Sequence, residues 1–201
     1  MPELLLQRLL DGLRATTLPE GVAVLLGLAY ILLIRRRSRW AWVAGGFGAL
    51  LYTWLFARAA LPMQAGLQVY YVGMSVYGWV HWSRAGEQPR ISTWSWRLHV
   101  AAVLLVLAMA AALARLLATE TQAAWPYLDS ATTIGSLLAT WLTARVKLEN
   151  WLYWIAIDSV LVFLYAAQGL VFTAALFVLY LVIAGAGFRT WLHSYRQPTR
   201  A

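Results

Sequence analysis

The sequence predicts an all-α polytopic membrane protein whose seven transmembrane helices form two parallel three-helix repeats joined by a linker helix. Composition is the first reason, because 62% of the 201 residues are hydrophobic and only 12% are charged, with a mean hydropathy of +0.64. The second reason is a series of apolar runs of roughly 17 to 25 residues, the length that crosses a bilayer. The third is an internal similarity between the first three runs and the last three.

Residues 1–17 are predicted to form an amphipathic helix at the membrane surface. Leu5, Leu9 and Leu13 recur at helical spacing, whereas Arg8 and Asp11 fall on another face. The acidic residues and the absence of a small-residue cleavage site distinguish this segment from a signal peptide. We therefore expect an interfacial helix that precedes the first span.

Seven spans follow, and the cations between them predict the orientation. The spans are expected at residues 18–34, 40–57, 64–82, 98–118, 126–144, 150–168 and 171–190. Assigning the loops alternately to two sides places 12 of the 16 Lys and Arg residues on one side. The positive-inside rule makes that side cytoplasmic, so the N-terminus is outside and the C-terminus is cytoplasmic. Tryptophans near span ends, including Trp42, Trp82 and Trp191, are expected to anchor the helices at the interfaces.

A single constant shift along the chain superimposes the first three spans on the last three. It matches one arginine, two tryptophans, one tyrosine and one glycine: Arg36 with Arg145, Trp42 with Trp151, Tyr71 with Tyr180, Gly78 with Gly187, and Trp82 with Trp191. Consecutive three-helix units point in opposite directions unless an odd helix separates them, and the run at 98–118 has the composition of such a linker. The predicted divisions are an N-terminal segment, repeat one, a loop with the linker, repeat two and a tail: 1–17, 18–82, 83–125, 126–191 and 192–201.

Several functional classes are disfavoured by composition. The chain has no cysteine, and His81, His99 and His193 are scattered without an evident carboxylate partner, so we expect no metal site and no cofactor. The net charge of +8 comes from cations between apolar runs, which does not indicate nucleic acid binding. A lone Asp158 in the middle of the sixth span and scattered histidines supply no nucleophile and no acid and base pair, so we do not expect an enzyme.

The sixth span contains the main candidate site. Asp158 lies near the middle of the apolar run, where a carboxylate costs about 2.5 to 3.5 kcal/mol on insertion scales. Trp151, Trp154 and Asp158 fall at i, i+3 and i+7, and Asn150 lies at the end of the same helix face. Two indoles beside a carboxylate form a suitable cleft for a flat polar or cationic molecule. The alternative for Asp158 is a structural salt bridge or helix cap.

The third span contains a second candidate group. Gln68, Tyr71 and Ser75 fall at i, i+3 and i+7, and Tyr180 is the repeat-related partner of Tyr71. Interhelical hydrogen bonds, worth about 0.6 kcal/mol on average, are the alternative for Gln68 and Ser75, and packing is the alternative for the tyrosines. The two repeats carry different polar residues at matching positions. The sequence therefore predicts one asymmetric site at the interface of the repeats, near the membrane midplane.

These motifs resemble the PnuC family of bacterial nicotinamide riboside transporters. The resemblance rests on N-W-x-x-W-x-x-x-D in the sixth span and Q-x-x-Y-x-x-x-x-x-Y-G-W-x-x-W in the third. It implies a seven-span fold related to SWEET sugar transporters, a homotrimer, and binding roles for Trp151, Trp154, Asp158, Gln68 and Tyr71. It also implies facilitated diffusion of a vitamin nucleoside that a cytoplasmic kinase traps by phosphorylation. Some members carry thiamine and others riboflavin, so the substrate stays open.

The predicted function is therefore uniport of nicotinamide riboside across the bacterial inner membrane, as a step towards NAD biosynthesis. A uniporter is favoured over a proton-coupled carrier because the third and sixth spans, which carry the candidate site, contain no second carboxylate to complete a proton relay. The alternatives are a thiamine or riboflavin transporter, or a membrane receptor subunit that binds its ligand without transport. The predicted partners are the small-molecule substrate and the lipid bilayer.

Overall fold

The described chain is helical throughout. A computed structural model describes residues 2–59, 62–86, 88–117 and 125–197. The helices are α1 (Pro2–Ala15), α2 (Leu18–Arg35), α3 (Trp40–Arg58), α4 (Pro62–Arg84), α5 (Trp96–Leu117), α6 (Pro126–Ala144), α7 (Asn150–Ala167) and α8 (Val171–Arg196). The prediction of an all-helical protein is confirmed.

The helices α2 to α8 coincide with the seven predicted spans to within a few residues at most ends. The largest difference is at α8, which continues to Arg196 because Trp191 and Tyr195 still contact the α2 end and Thr93. Within the described residues, α2, α3, α5, α7 and α8 have the length and hydropathy to cross a membrane. The helices α4 and α6 are long enough but less apolar, because they carry polar side chains that face an internal cavity.

Local sequence explains where several helices begin and end. Thr17 caps α2 through a capping box in which its backbone N–H and its hydroxyl donate to Glu20 Oε2 at 2.7 and 2.9 Å. The turn between α7 and α8 contains Gly169 at φ +75°, a left-handed conformation that glycine adopts without strain. The gap between the spans predicted at 150–168 and 171–190 is therefore a tight turn.

Helices α2–α4 and helices α6–α8, which we call the first and second units, pack in corresponding pairs. Within them, α3 packs between α2 and α4, and α7 packs between α6 and α8. Across them, α4 packs on α6 and α8 packs on α2. The turns after α2 and α6 also match, because Arg37 and Val146 both have φ of 54°. The helix α5 packs on α6, and α1 packs on α8.

Four tryptophans join the two units at one end of the bundle. Trp82 Nε1 donates to the carbonyl of Ala144 at 2.9 Å, and Trp191 Nε1 donates to the carbonyl of Arg35 at 3.1 Å. Trp42 and Trp151 pack edge-on against Trp82 and Trp191, each at 5.5 Å between ring centroids. These bonds are reciprocal, because each unit donates one indole N–H to the matching carbonyl of the other.

This cluster corrects the prediction that Trp42, Trp82 and Trp191 are interfacial anchors. All three are buried, with exposed fractions of 2% or less. They lie at helix ends, as expected, but these ends meet around the axis of the bundle, and the indoles pack on each other and donate to free terminal carbonyls. Other helix-end tryptophans, such as Trp40 and Trp96, are exposed.

The loop between α4 and α5 crosses the same end of the bundle. Ser92 exchanges backbone hydrogen bonds with Val146 and Leu148 at 3.1 and 2.9 Å, and the Arg37 guanidinium donates to the carbonyl of Pro89 at 3.2 Å. Burial lowers the pKa of the Arg37 guanidinium below its usual value. The loop thus contacts the α2–α3 and α6–α7 connections together.

The same loop leads into α5 and places His99 beside a carboxylate, although no carboxylate partner for this histidine was expected from the sequence. Glu149 Oε1 accepts a hydrogen bond from the backbone N–H of Trp94 at 2.9 Å and lies 3.5 Å from His99 Nε2. His99 and Glu149 are far apart in the sequence, so only the folded loop places them together. The prediction that the histidines lack a carboxylate partner is therefore wrong for His99.

Candidate functional site

A cavity of about 1400 Å³ lies between the two units. Helices α2, α3, α4, α6, α7 and α8 line most of it, and α5 contributes Leu113. Asp11 and Gly12 of α1, with Thr16 just after it, line one end. We call that end the rim, where Glu20 and Asp129 also lie. The opposite end, which we call the floor, is formed by Ile34, Trp42 and Trp151 above the tryptophan cluster. The cavity therefore runs along the interface of the units and ends at the indoles that join them.

All eight residues that the sequence predicted for the site line this one cavity. Asn150, Trp151, Asp158 and Ser75 are buried, and the other four are half-buried. The group comes from both units and consists of Gln68, Tyr71, Ser75, Asn150, Trp151, Trp154, Asp158 and Tyr180. The fold thus brings the two predicted helix faces together, as a site at the interface requires.

Asp158 lies in the cavity wall without a protein partner. Its exposed fraction is 4%, and among the described residues no side chain or backbone group forms a hydrogen bond or ion pair with its carboxylate. Tyr71 and Tyr180, the repeat-related tyrosines, are close enough to interact with it electrostatically. In the described part of the chain, the alternative of a structural salt bridge or helix cap therefore finds no partner.

The two indoles of α7 have different positions. Trp154 is half-buried, and its Nε1 donates to Thr143 Oγ1 at 3.3 Å. Thr143 in turn donates to Asn150 Oδ1 at 3.1 Å, and Asn150 Nδ2 donates to the carbonyl of Lys147 at 2.6 Å. This chain of hydrogen bonds orients the Trp154 ring beside the cavity. Trp151 is 1% exposed in the floor, packed on Gly187 and Trp191.

Two indole N–H groups at the floor have no hydrogen-bond partner among the described residues. They belong to Trp42 and Trp151, which occupy matching positions of the two repeats and are both buried. Both side chains also line the cavity. Trp42 was predicted to lie at the membrane interface, so its place at the site was missed. Its match with Trp151 in the internal repeat could have indicated that it lines the cavity.

A second missed feature is a row of buried hydroxyls on α6. They lie at i, i+4, i+8 and i+11, a single helix face, and all line the cavity: Thr132, Ser136, Thr140 and Thr143. The matching positions of α2 carry no polar side chain: Ala23, Gly27, Ile31 and Ile34. The α6 side of the cavity therefore carries a face of hydroxyls, whereas the four matching positions of α2 are apolar. The i, i+4, i+8 and i+11 spacing of these hydroxyls is visible in the sequence and could have predicted this polar helix face.

The charges that line the cavity all have one sign. Half of the eight acidic residues of the chain line it, and in the part of the chain that the structure describes it has no lining Lys, Arg or His; the carboxylates are Asp11, Glu20, Asp129 and Asp158. Glu20 and Asp129 occupy matching positions in the two units. In a chain with a net charge of +8, this distribution concentrates negative potential in the cavity.

The chemistry that these residues offer is binding. Aromatic faces, hydroxyls and an unpaired carboxylate attract a flat polar cation, and the described residues contain no group of three His, Cys, Asp or Glu side chains placed to hold a metal ion. A cavity lined by aromatic, hydroxyl and acidic side chains, in a chain whose described residues include five helices long and apolar enough to cross a membrane, is typical of a class of protein, the multi-pass carriers of small solutes.

Comparison with known proteins identifies the family. A family model described as Nicotinamide mononucleotide transporter matches residues 17–193, so the chain belongs to this family, the PnuC family of vitamin transporters. The chain is 29% identical over 189 residues to the riboflavin/roseoflavin transporter RibM of Streptomyces davaonensis, covering 90% of this chain and 87% of the relative. It is 26% identical over 206 residues to the nicotinamide riboside transporter PnuC of Escherichia coli, covering 89% and 86%.

The fold of a solved structure agrees with this assignment. The crystal structure of the Vitamin B3 transporter PnuC is similar with a TM-score of 0.72, at 18% identity, covering 96% of this chain and 90% of that one. The family resemblance that the sequence motifs predicted is confirmed, and the chain is a multi-pass membrane protein of a vitamin transporter family.

Proposed function

We propose that this protein carries nicotinamide riboside across the bacterial inner membrane by facilitated diffusion. The observation that carries the proposal is the unpaired, buried Asp158 carboxylate in a cavity with no lining cation among the described residues. A buried carboxylate is costly unless it is compensated, and a cationic ligand compensates it. The pyridinium ring of nicotinamide riboside is such a cation.

The aromatic and acidic groups fit both parts of this ligand. An indole face attracts a desolvated cation by about 0.5 to 2 kcal/mol, and Trp154 is the half-buried indole beside the cavity. Asp158 then balances the ring charge or accepts hydrogen bonds from the ribose. Four lining carboxylates repel a phosphate group, which favours the nucleoside over its phosphorylated form.

The proposed architecture has seven crossings, α2 to α8, with α5 as the linker between two parallel three-helix repeats. The divisions are repeat one at 18–82, the loop and linker at 83–125, and repeat two at 126–191, with 1–17 at the interface and 192–201 as the tail. The matching contacts at equivalent positions support the two repeats. The cation distribution supports an external N-terminus and a cytoplasmic C-terminus, which makes the rim external.

The proposal also includes uniport as the transport mode, a homotrimer as the assembly, and phosphorylation as the step that traps the substrate in the cell. Asp158 is the one carboxylate of α7, and the other lining carboxylates lie near the rim, so no chain of acidic groups towards the floor supports proton coupling. Facilitated diffusion only equilibrates its substrate, so net uptake needs a cytoplasmic kinase that consumes it, which leads to NAD. A homotrimer is proposed from the family resemblance.

Riboflavin is the second candidate substrate. The similarity to RibM favours it, and the hydroxyl face of α6 suits its ribityl chain. Its ring system is neutral, however, and leaves Asp158 without a compensating charge. Thiamine shares the cationic ring of the first candidate. The charge of the cavity therefore favours nicotinamide riboside and thiamine over riboflavin.

Purified protein in liposomes tests the proposal. Labelled nicotinamide riboside, thiamine and riboflavin are added outside, and we expect nicotinamide riboside to reach equal concentrations on both sides without an ion gradient. The recovered ligand should be chemically unchanged, because we propose a carrier and no enzyme. Binding without equilibration would indicate a receptor subunit, and accumulation only under a proton gradient would contradict uniport.

A further inference from the structure

We propose that the hydroxyl face of α6, centred on Ser136 and Thr140, determines specificity by recognising the sugar or polyol part of the transported vitamin. The inference deepens the proposed function and rests on it for the identity of the ligand. It assigns the two walls of the cavity different tasks. The α7 face with Trp154 and Asp158 holds the ring, and the α6 face holds the hydroxyl-bearing part.

The geometry of the hydroxyls makes this face an acceptor surface. Thr140 Oγ1 donates to the carbonyl of Ser136 at 2.8 Å, and Thr143 Oγ1 has a similar bond to the carbonyl of Ala139 at 2.8 Å. Thr132 Oγ1 donates to the carbonyl of Asp129 at 2.9 Å. The protons of Thr132 and Thr140 are thus used within the helix, and their oxygen lone pairs remain to accept hydrogen bonds. Thr143 differs, because it shares its proton between the Ala139 carbonyl and Asn150 Oδ1 and already accepts from Trp154 Nε1. A ribose or ribityl chain, with several O–H donors, is complementary to such a surface.

Tyr71 is a polar group that the first unit contributes to the cavity. Its side chain lines the cavity together with Ser136, Thr140 and Asp158. Tyr71 lies on α4, which packs on α6, where Ser136 and Thr140 lie. Polar groups of both units therefore line the same cavity, so a ligand held by Asp158 at one end can meet the α6 hydroxyls at the other.

A purely structural role for these hydroxyls is less consistent with their distribution. Threonine and serine in membrane helices often bond back to their own helix, and Thr53 on α3 does so with the carbonyl of Ala49 at 2.7 Å. Thr53 does not line the cavity. The four α6 hydroxyls do, and the matching positions of α2 are apolar. An asymmetric ligand, with a ring at one end and hydroxyls at the other, explains this difference between the units.

The test compares two ligands that share a ring and differ in the sugar. Dissociation constants of the purified full-length protein are measured for nicotinamide riboside and for nicotinamide methylated at the ring nitrogen. Thr140→Val removes the hydroxyl and keeps the shape, and Thr53→Val is the matched control outside the cavity. We expect Thr140→Val to weaken the riboside by roughly three- to tenfold, the range for one hydrogen bond, and to leave the methylated ring unchanged. Thr53→Val should change neither.

Ser136→Ala provides the second variant if Thr140→Val does not fold, with the same expectation. Equal weakening of both ligands, or no change in either, would overturn the sugar-recognition role while leaving the proposed transport of the riboside intact. If the wild-type protein binds no pyridinium ligand, the proposed substrate is wrong. The same variants are then measured with riboflavin and with its ring system lacking the ribityl chain. If the variants weaken the binding of riboflavin but not of the ring system alone, recognition of the polyol by the α6 face is still supported. Equal weakening of both ligands would overturn it.

Discussion

Trp154 is the side chain whose position relates most directly to ring binding. It is half-buried beside the cavity, held by its hydrogen bond to Thr143, and it lies one helical turn from the buried Trp151. A cation–π contact of about 0.5 to 2 kcal/mol corresponds to roughly 2- to 30-fold in affinity. Trp154→Ala should therefore weaken nicotinamide riboside by that factor, measured by isothermal calorimetry on the purified protein.

The control for this variant is Trp96→Ala. Trp96 is 71% exposed at the start of α5 and does not line the cavity, so its removal should leave the dissociation constant unchanged. Equal losses in the two variants would show that the Trp154 indole acts through general packing and does not bind the ring.

The sequence predicted which single residues line the cavity where their side chains are too polar to face lipid. Asp158, Gln68 and Asn150 are costly in an apolar helix, so their placement at a cavity follows from helix periodicity. Thr140 carries no such cost, because its hydroxyl bonds back to the carbonyl of Ser136 in its own helix and is compatible with lipid. Trp42 was wrongly predicted to lie at the membrane–water interface, because an indole at a helix end is typical of that interface as well.

At the scale of the helices, the close contact between α7 and α8 depends on Gly187. A methyl group there would collide with the Trp151 ring, whereas a methyl group at Gly185, two residues earlier on the same helix, meets nothing within 4 Å. Overpacking of a rigid indole typically costs about 1 to 3 kcal/mol. Gly187→Ala should therefore lower the thermal unfolding midpoint in detergent.

Gly185→Ala is the matched variant and should leave the midpoint unchanged or raise it slightly, because alanine favours a helix. A Gly185→Ala variant that is as unstable as Gly187→Ala would contradict the close packing of α8 on Trp151. The sequence alone does not distinguish these two glycines, because the contact depends on the angle of an indole on another helix.

Helix positions were predictable because the apolar runs have bilayer length and end at charged or glycine residues. The loop between α4 and α5 was not predictable. Its contacts with Arg37, Val146 and Glu149 join segments that are distant in the sequence. No local pattern in the sequence specifies such contacts, and the pairing of His99 with Glu149 was missed for the same reason.

At the scale of the whole molecule, the cation distribution predicts which end of the cavity is external. A reporter fused after Ala201 should be cytoplasmic, and a reporter inserted near Gln122 should be outside. Both are assayed with a paired phosphatase and fluorescent-protein reporter in intact cells. Finding the two on the same side would contradict seven crossings between an external N-terminus and a cytoplasmic C-terminus.

The central claim is that the acidic cavity selects a cation, and one binding series tests it most directly. Nicotinamide riboside and its reduced dihydropyridine form share the same sugar and nearly the same shape, but only the first carries a ring charge. Dissociation constants of both are measured for the wild type and for Asp158→Asn, which removes the charge and preserves the shape. We predict that the wild type prefers the cation by about tenfold or more, equivalent to about 1.4 kcal/mol, and that Asp158→Asn loses this preference. Equal affinities in the wild type, or a preference that survives in Asp158→Asn, would contradict it.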